Sequence, residues 1–421
     1  MNADVPHPEA PQLQVPQPGV PQPGGPQPGG PHPDVQRADV LVIGGGVIGT
    51  AIAWRAAARD PRQHVVLVDP GSDDEKASLV AAGMLAPVSE SVFGEENLLN
   101  LNLLAVDRFP AFNEQLEKAS GHTTGLRTEG TLSVAYDNGD LAALNRLADF
   151  RRGIGLAAEA LDARQCRRLE MFLAPNVTGG LLAPGDLSVD NRRYLRALRA
   201  AAANAGVRTV PGTVASIDAS RETTAAQANT AGQANTVTLA TGELITATSV
   251  VVAAGHATSR IKGVPDEIRK AIRPVKGQLM RLRHPGSLPP VATRTIRALV
   301  QGREVYLVPR QDGELVVGAT QEEREDRDVT AGAVHDLLRD ATAALPAVSE
   351  LVLAEINAGL RPGSADNGPI VGRAGGGLIV AAGHFRNGIL LSAVTADAVT
   401  AILAGDEPRP HWTPFAPGRL I

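Results

Sequence analysis

Apolar residues along this chain fall into two textures. Near the start, "DVLVI" (39–43) is an unbroken apolar run of strand length, "VIGTAIAWRAAARD" (47–60) repeats its apolar positions at helical spacing, and "HVVLVD" (64–69) is a second buried strand. Together they spell a βαβ unit. The same texture returns in "DNRRYLRALRAAAANAG" (190–206), a helix with Asp190 as cap and Gly206 as stop. It returns again in "TSVVVAAG" (248–255) and "GGLIVAAG" (376–383), two buried strands that each end in Ala-Ala-Gly. In between, "GTLSVAY", "KGQLMRLR", "REVYLVPR" and "GELVVGAT" alternate or run short, with turn chemistry at Asp312-Gly313. That second texture predicts a mixed or antiparallel sheet.

The predicted class is therefore α/β: a discontinuous dinucleotide domain of Rossmann type plus a second domain on a mixed or antiparallel β-sheet. Strands of the first texture lie before, between and after the second. The expected division is residues 37–87, 183–258 and 359–421 for the dinucleotide domain, and 88–182 and 259–358 for the substrate domain. Residues 15–35 repeat a five-residue Pro/Gly unit, so 1–36 reads as a disordered tail leaning to polyproline II, or as a ligand for a proline-recognition domain. The polar patch 219–236 reads as an expanded hairpin loop between "GTVASID" and "NTVTLATGELIT".

Composition narrows the options. With 421 residues there is ample core for two domains, and a formal charge of −5 argues against nucleic-acid binding. The single cysteine, Cys166, excludes an internal disulfide framework and suits a reducing cytoplasm. No run approaches the ~20 consecutive apolar residues of a membrane span, and "MNADVPHPEAP" lacks the regions of a signal peptide. The expectation is a cytoplasmic protein without membrane partners.

Chemistry begins at "VLVIGGGVIGTAIAW". Gly44, Gly46 and Gly49 form G-x-G-x-x-G directly after a strand and at the opening of a helix. A side chain there would block the turn, the pyrophosphate or the helix–strand contact, and the free N–H groups with the helix dipole attract phosphate. Asp69 ends the second strand 25 residues after Gly44, where a carboxylate can accept both ribose hydroxyls. This fingerprint does not decide between FAD and NAD. "KASLVAAGMLAP" (76–87) is rich in small residues, which suits close approach to a flat ring or a tight helix–helix contact equally.

"LIVAAGHFRNGILLS" (378–392) stops an apolar strand at Gly383, sets His384, Phe385, Arg386 and Asn387 in a row, and starts a helix at Gly388. Ile389, Leu390, Ala393, Val394, Val399, Ile402 and Leu403 recur at helical spacing to about Gly405. The N–H groups of such a helix start carry partial positive charge, suited to the negative charge a reduced flavin develops. Residues His384 to Leu390 are thus candidate cofactor contacts, with Arg386 projecting over the ring and His384 serving backbone or packing more than acid–base chemistry. Arg361 in "AGLRPG" and Tyr306 in "EVYLVPR" supply a planar guanidinium and a phenol suited to an amino-acid carboxylate, or else a structural salt bridge at a domain joint and an ordinary strand aromatic.

The fingerprint, "SLVAAGML", "VYLVPR", "AGLRPGSADNGPIVGR" and "AAGHFRNGILL" together resemble the FAD-dependent amine oxidases of the D-amino-acid oxidase family, most closely its glycine-oxidising branch linked to thiamine biosynthesis. The likeness runs from residue 38 to about 413. It implies FAD, with Val47 and Ile48 beside the pyrophosphate and Asp69 with Pro70 at the adenosine ribose. Cys166 lies far in sequence from every flavin motif, which leads to the expectation of no thioether and hence a non-covalent cofactor. Ala77, Ser78, Ala82, Gly83 and Met84 would line the way to the flavin, and Val214 would hold the adenine through its backbone. Asp69 is shorter than the family's usual Glu, and Ala77 lacks the hydroxyl often found there. The resemblance assigns Arg361, Arg386 and Tyr306 to the substrate. It implies oxidation of glycine, and of sarcosine or small D-amino acids, by positioning alone and with no dedicated catalytic base. Oxygen would be the acceptor, the imine product would feed thiazole synthesis, no metal is implied, and the expected assembly is a homotetramer. A sarcosine or D-amino-acid oxidase or dehydrogenase is the neighbouring reading. A non-catalytic flavin-holding subunit is the reading from another class, and it would need no carboxylate site.

Overall fold

The computed structural model describes residues 37–73, 76–219, 234–286 and 289–420. The expected Pro/Gly tail (1–36) and most of the 219–236 patch lie outside the described residues. The strands that flank this patch, Val214–Asp218 and Asn235–Leu239, pair antiparallel as a hairpin should.

Both predicted textures become sheets. The strand Arg37–Ile43 pairs in parallel with Val65–Asp69 on one side and Leu244–Val252 on the other. Leu378–Ala382 and Arg208–Pro211 extend this parallel set outward, and Ile370–Arg373 closes one edge antiparallel. These strands read as continuous apolar runs because both faces are covered. The helix Val47–Arg59 lies on one face with Asn191–Asn204 and Gly388–Leu403, burying Ile48, Ala51, Ile52 and Trp54 among them. Asp190 caps the second helix as expected, accepting from the N–H groups of Arg192 and Arg193 at 2.9 and 3.0 Å.

The helix Glu96–Ser120 departs from the expected division. A boundary at residue 88 assigns it to the substrate domain, yet it packs against Asn191–Asn204 and Gly388–Leu403 and shares the nucleotide-side core. Its apolar stripe meets aromatic partners there, Phe112 edge-on to Trp54 at 5.3 Å and Phe109 stacked on Tyr194 at 5.4 Å. The segment Phe385–Leu403 is long and apolar enough to cross a membrane, but it is mostly buried against these helices and serves as a core helix.

The second sheet has eight strands, antiparallel except where Thr295–Val300 runs parallel to Thr131–Ala135. Its order across five strands is Val352–Gly363, Arg273–Arg283, Glu314–Gly318, Arg303–Pro309 and Thr295–Val300. Strand periodicity divides their side chains cleanly. Met280, Val317, Leu307 and Ile296 point to one face and form a core with Leu337 and Ala341 of the helix Ala331–Ala344. Their immediate neighbours in sequence point to the other face, and that face holds the site.

Candidate active site

Register builds this face. Arg361 lies opposite Val275, Leu279 opposite Gly318, Gly318 opposite Tyr306, and Tyr306 opposite Arg297. Directly paired residues share a face and so do residues two apart along a strand. Arg361, Gly277, Leu279, Gly318, Tyr306 and Arg297 therefore form one row across five strands. Two of the six are glycines, and each makes room for a functional side chain. A Cβ on Gly277 would overlap the guanidinium of Arg361, and one on Gly318 would come within 2.5 Å of the Tyr306 hydroxyl. The Arg361 guanidinium donates to the Thr320 carbonyl at 3.1 Å and to the Lys276 carbonyl at 3.4 Å, and Tyr306 acts on it electrostatically.

Arg361, Gly277, Leu279 and Tyr306 of this row line one wall of a cavity of about 470 Å³. The opposite wall is the carboxyl edge of the parallel sheet, at the point where the strand order reverses on either side of Arg37–Ile43. There Gly44 has φ +108°, and a Cβ on it would lie 2.5 Å from the Ala253 carbonyl oxygen. A Cβ on Gly49 would overlap the Gly44 carbonyl. Gly46 differs: its nearest neighbour would be Ser78 Oγ at 3.4 Å, so its bareness serves the cavity and not the packing. Asp69 is largely buried, accepts the Gly45 N–H at 3.2 Å, and pairs with Lys76 at 3.0 Å.

The helix Gly388–Leu403 starts at this cavity with no side-chain cap on its N-terminus. Gly383 (φ +73°) and Phe385 (φ +45°) turn the chain into it. Arg386 is exposed, its guanidinium 5.3 Å from the Phe385 ring, and its charge reaches Arg361. Burial lowers the Arg361 pKa and the charge of Arg386 adds to that, while Tyr306 and Glu90 oppose it. Burial raises the Tyr306 pKa, with Arg361 opposing. Two guanidinium groups acting on each other in a concave site suit an anionic ligand. His384 is buried with Nε2 3.0 Å from Thr395 Oγ1, and burial pushes its pKa down to about 3, so it stays neutral and structural.

Of the residues nominated from sequence, Gly44, Gly46, Val47, Ile48, Asp69, Pro70, Ala77, Ser78, Ala82, Gly83, Met84, Val214, Tyr306, Arg361, His384, Phe385, Arg386, Gly388 and Ile389 line this one cavity. Gly49, Asn387 and Leu390 do not. Gly49 packs behind the turn against Gly44, and Leu390 belongs to the helical core. Sequence reading missed Gly45, Glu90, Ala253, Ala254 and Gly277, all on the cavity wall. The repeated Ala-Ala-Gly strand ends were a signal for two of them. Glu90 and Gly277 gave none, since only sheet pairing places them.

A ring-bearing dinucleotide fits this cavity. The bare glycine turn and the uncapped helix start both offer N–H groups, and the turn opens at the sheet's switch point. A nucleotide-binding α/β sheet facing an antiparallel sheet with a carboxylate-type arginine–tyrosine pair defines a flavin-dependent oxidoreductase. The family model for FAD dependent oxidoreductase (DAO) matches residues 39–402, and the chain belongs to that family, with FAD as its cofactor. It is 33% identical over 386 residues to a bifunctional protein ThiO/ThiG of Synechocystis sp., covering 91% of this chain and 54% of that protein. The chain thus spans about half the length of that relative. It is 32% identical to a glycine oxidase of Geobacillus kaustophilus, covering 91% of this chain and 97% of the relative. The crystal structure of glycine oxidase from that organism superimposes with a TM-score of 0.79 at 31% identity, over 90% of this chain and 98% of that one.

Proposed function

We propose that this protein oxidises glycine, using oxygen and water, to glyoxylate, ammonia and hydrogen peroxide by way of the imine, and that the imine supplies thiazole synthesis for thiamine. The observation that carries this reading is the row on which Gly277 and Gly318 yield their side-chain space to Arg361 and Tyr306. The guanidinium of Arg361 holds the substrate carboxylate in a paired fork, and the phenol of Tyr306 adds a donor to it. Arg386, above the helix start, supplies further positive charge and bounds the site on the solvent side. FAD, held by the glycine turn and the helix start, would supply the hydride acceptor for the substrate α-carbon. The chain's own part is to fix the carboxylate, aim the α-hydrogen and exclude water, a contribution made by positioning. The N-terminus of the Gly388–Leu403 helix, uncapped at the cavity, would hold the cofactor's ring system through its N–H groups and favour negative charge there. His384, neutral throughout, moves no proton.

In this reading FAD is held without a covalent bond, because Cys166 lies buried in the core of the second sheet. The nucleotide portion is 37–87, 183–258 and 359–421, except that the helix Glu96–Ser120 joins it by packing. The protein works in the cytoplasm as a homotetramer. Purified yellow protein should consume oxygen with glycine and release peroxide. Arg361→Ala should keep FAD and raise KM for glycine at least roughly tenfold, since truncating one partner of a buried charge pair costs about 2–5 kcal/mol. Arg361→Lys should restore part of this. Sarcosine and D-proline in the same assay separate the neighbouring oxidases. A flavin-loaded protein that produces peroxide from none of the three overturns the reading.

A further inference from the structure

Glu90 lines the cavity together with Tyr306 and Arg361, its charge acts on both of them, and the mechanism above gives it nothing to do. The turn that carries it is held with unusual effort. Asp186, fully buried, accepts the N–H groups of Val88 and Ser89 at 3.0 and 3.1 Å. Arg151, 3% exposed, donates to the Ser89 carbonyl at 2.7 Å and to Ser91 Oγ at 3.1 Å. Burying an ion is expensive unless its partners are well placed. Neither Asp186 nor Arg151 reaches the cavity. What they fix is a backbone from which Glu90 projects into it.

The carboxylate is fixed at its far end as well. Arg297, the last residue of the cross-strand row, donates to Glu90 at 2.8 Å, and the two side chains are only 16% and 14% exposed. Arg297 also pairs with Glu304 at 3.1 Å. Neutralising Arg297 therefore does not require Glu90, and an edge-closing ion pair alone would leave its place in the cavity unexplained. Its negative charge acts on both Tyr306 and Arg361. Arg361 and Glu90 thus lie at opposite ends of the row, with Tyr306 between them.

Resting on the carboxylate-binding role proposed for Arg361, we infer that Glu90 is a specificity-determining residue that limits the enzyme to substrates with one carboxylate. A substrate anchored by its carboxylate at Arg361 points its amine substituent or side chain toward Glu90. A methyl group or an ammonium is accepted there. A second carboxylate meets a fixed like charge in a partly desolvated site, which is the repulsive element that discrimination requires.

Non-oxidisable ligands on the FAD-loaded protein read this directly through perturbation of flavin absorption. Methoxyacetate probes the single-carboxylate site, while oxydiacetate and its monoamide have nearly the same size and differ by one negative charge. Wild type should bind the monoamide more tightly than oxydiacetate by roughly tenfold or more. Glu90→Gln should shrink that ratio about tenfold, and Glu90→Asp, which keeps the charge, should retain it. If Glu90→Gln fails to hold flavin, Glu90→Ala supplies the same comparison. A wild type that does not discriminate overturns the inference, and so does a wild-type ratio in the uncharged variant. Exclusion of both longer ligands from wild type and variant alike, with methoxyacetate still bound, also overturns it, because size then decides. Failure of methoxyacetate to bind wild type refutes the Arg361 site and takes this inference with it.

Discussion

Gly277→Ala should disable substrate binding without disturbing the fold. The residue lies within the strand Arg273–Arg283 and has no left-handed backbone, so alanine is conformationally acceptable there. The new methyl would overlap Nη1, Nη2 and Cζ of Arg361, the far end of a flexible side chain. The guanidinium would have to retreat by about 1 Å to reach ordinary van der Waals separation. A misplacement of that size in a positioned group costs on the order of 10²-fold in rate, equivalent to about 2.7 kcal/mol. Arg361 grips the substrate carboxylate before and during reaction, so most of the loss should fall on KM for glycine and less on kcat. Oxygen uptake over a range of glycine concentrations gives both parameters, and the ratio of protein to flavin absorbance confirms that FAD is retained. An amine without a carboxylate, such as benzylamine, serves as control, and its turnover, however slow, should not change. Wild-type kcat/KM for glycine in a flavin-replete Gly277→Ala protein would refute the packing of Arg361 on this glycine.

Gly49→Ala should act on the other wall: its Cβ meets the Gly44 carbonyl, a backbone atom that cannot step aside. The expected product is flavin-poor and less stable by about 1–3 kcal/mol, checked by flavin content and thermal melting. His384 should make the protein acid-sensitive. Its folded pKa of about 3 lies below the ordinary 6.5, so its contribution is complete above pH 6.5 and is lost as pH falls toward 3. By about pH 4.5 the loss amounts to about 2–3 kcal/mol relative to His384→Gln, measured as the difference in urea midpoints; equal pH dependence in both proteins would contradict a buried neutral imidazole. Cys166, whose thiol is pushed up to about 11 chiefly by burial, should resist thiol reagents in the native protein and react once denatured.

The nucleotide half was legible because its signals are local. A strand, a glycine turn, a helix and a terminal acid lie within Arg37–Asp69, and local spacing is what a sequence displays. Gly388 was readable for the same reason, as the first residue of an apolar periodic run. The substrate half depends on register, which no local pattern states. Tyr306 and Arg361 were recognisable as residue types suited to a carboxylate, but their meeting depends on Gly277 and Gly318, which sit on intervening strands. Glu90 was invisible for a further reason: the turn that delivers it is held by Asp186 and Arg151, 96 and 61 residues away in the chain. The packing of Glu96–Ser120 on the nucleotide side was hidden for the same reason, since its apolar stripe does not say which sheet it covers.

The cross-strand row also bears on how the protein becomes active. Its members come from five strands, and each pairs correctly only when the whole sheet is in register. A slip of one residue in any of them would turn its functional side chain from the cavity face into the Leu337–Ala341 core. Glycine at positions 277 and 318 cannot by itself penalise such a slip, because a glycine fits either face. The discrimination falls to the alternate residues, Met280, Val317, Leu307 and Ile296, whose bulk is tolerated on one side only. The nucleotide half is no more local in its pairings. Arg37–Ile43 needs Leu244–Val252 beside it, Leu378–Ala382 extends that sheet, and Val47–Arg59 packs on Gly388–Leu403. Both halves thus wait on long-range pairings, which are the slow ones. The cofactor cradle and the carboxylate grip are therefore completed together, when the segment 352–403 brings Arg361 to one sheet and the Gly388–Leu403 helix to the other.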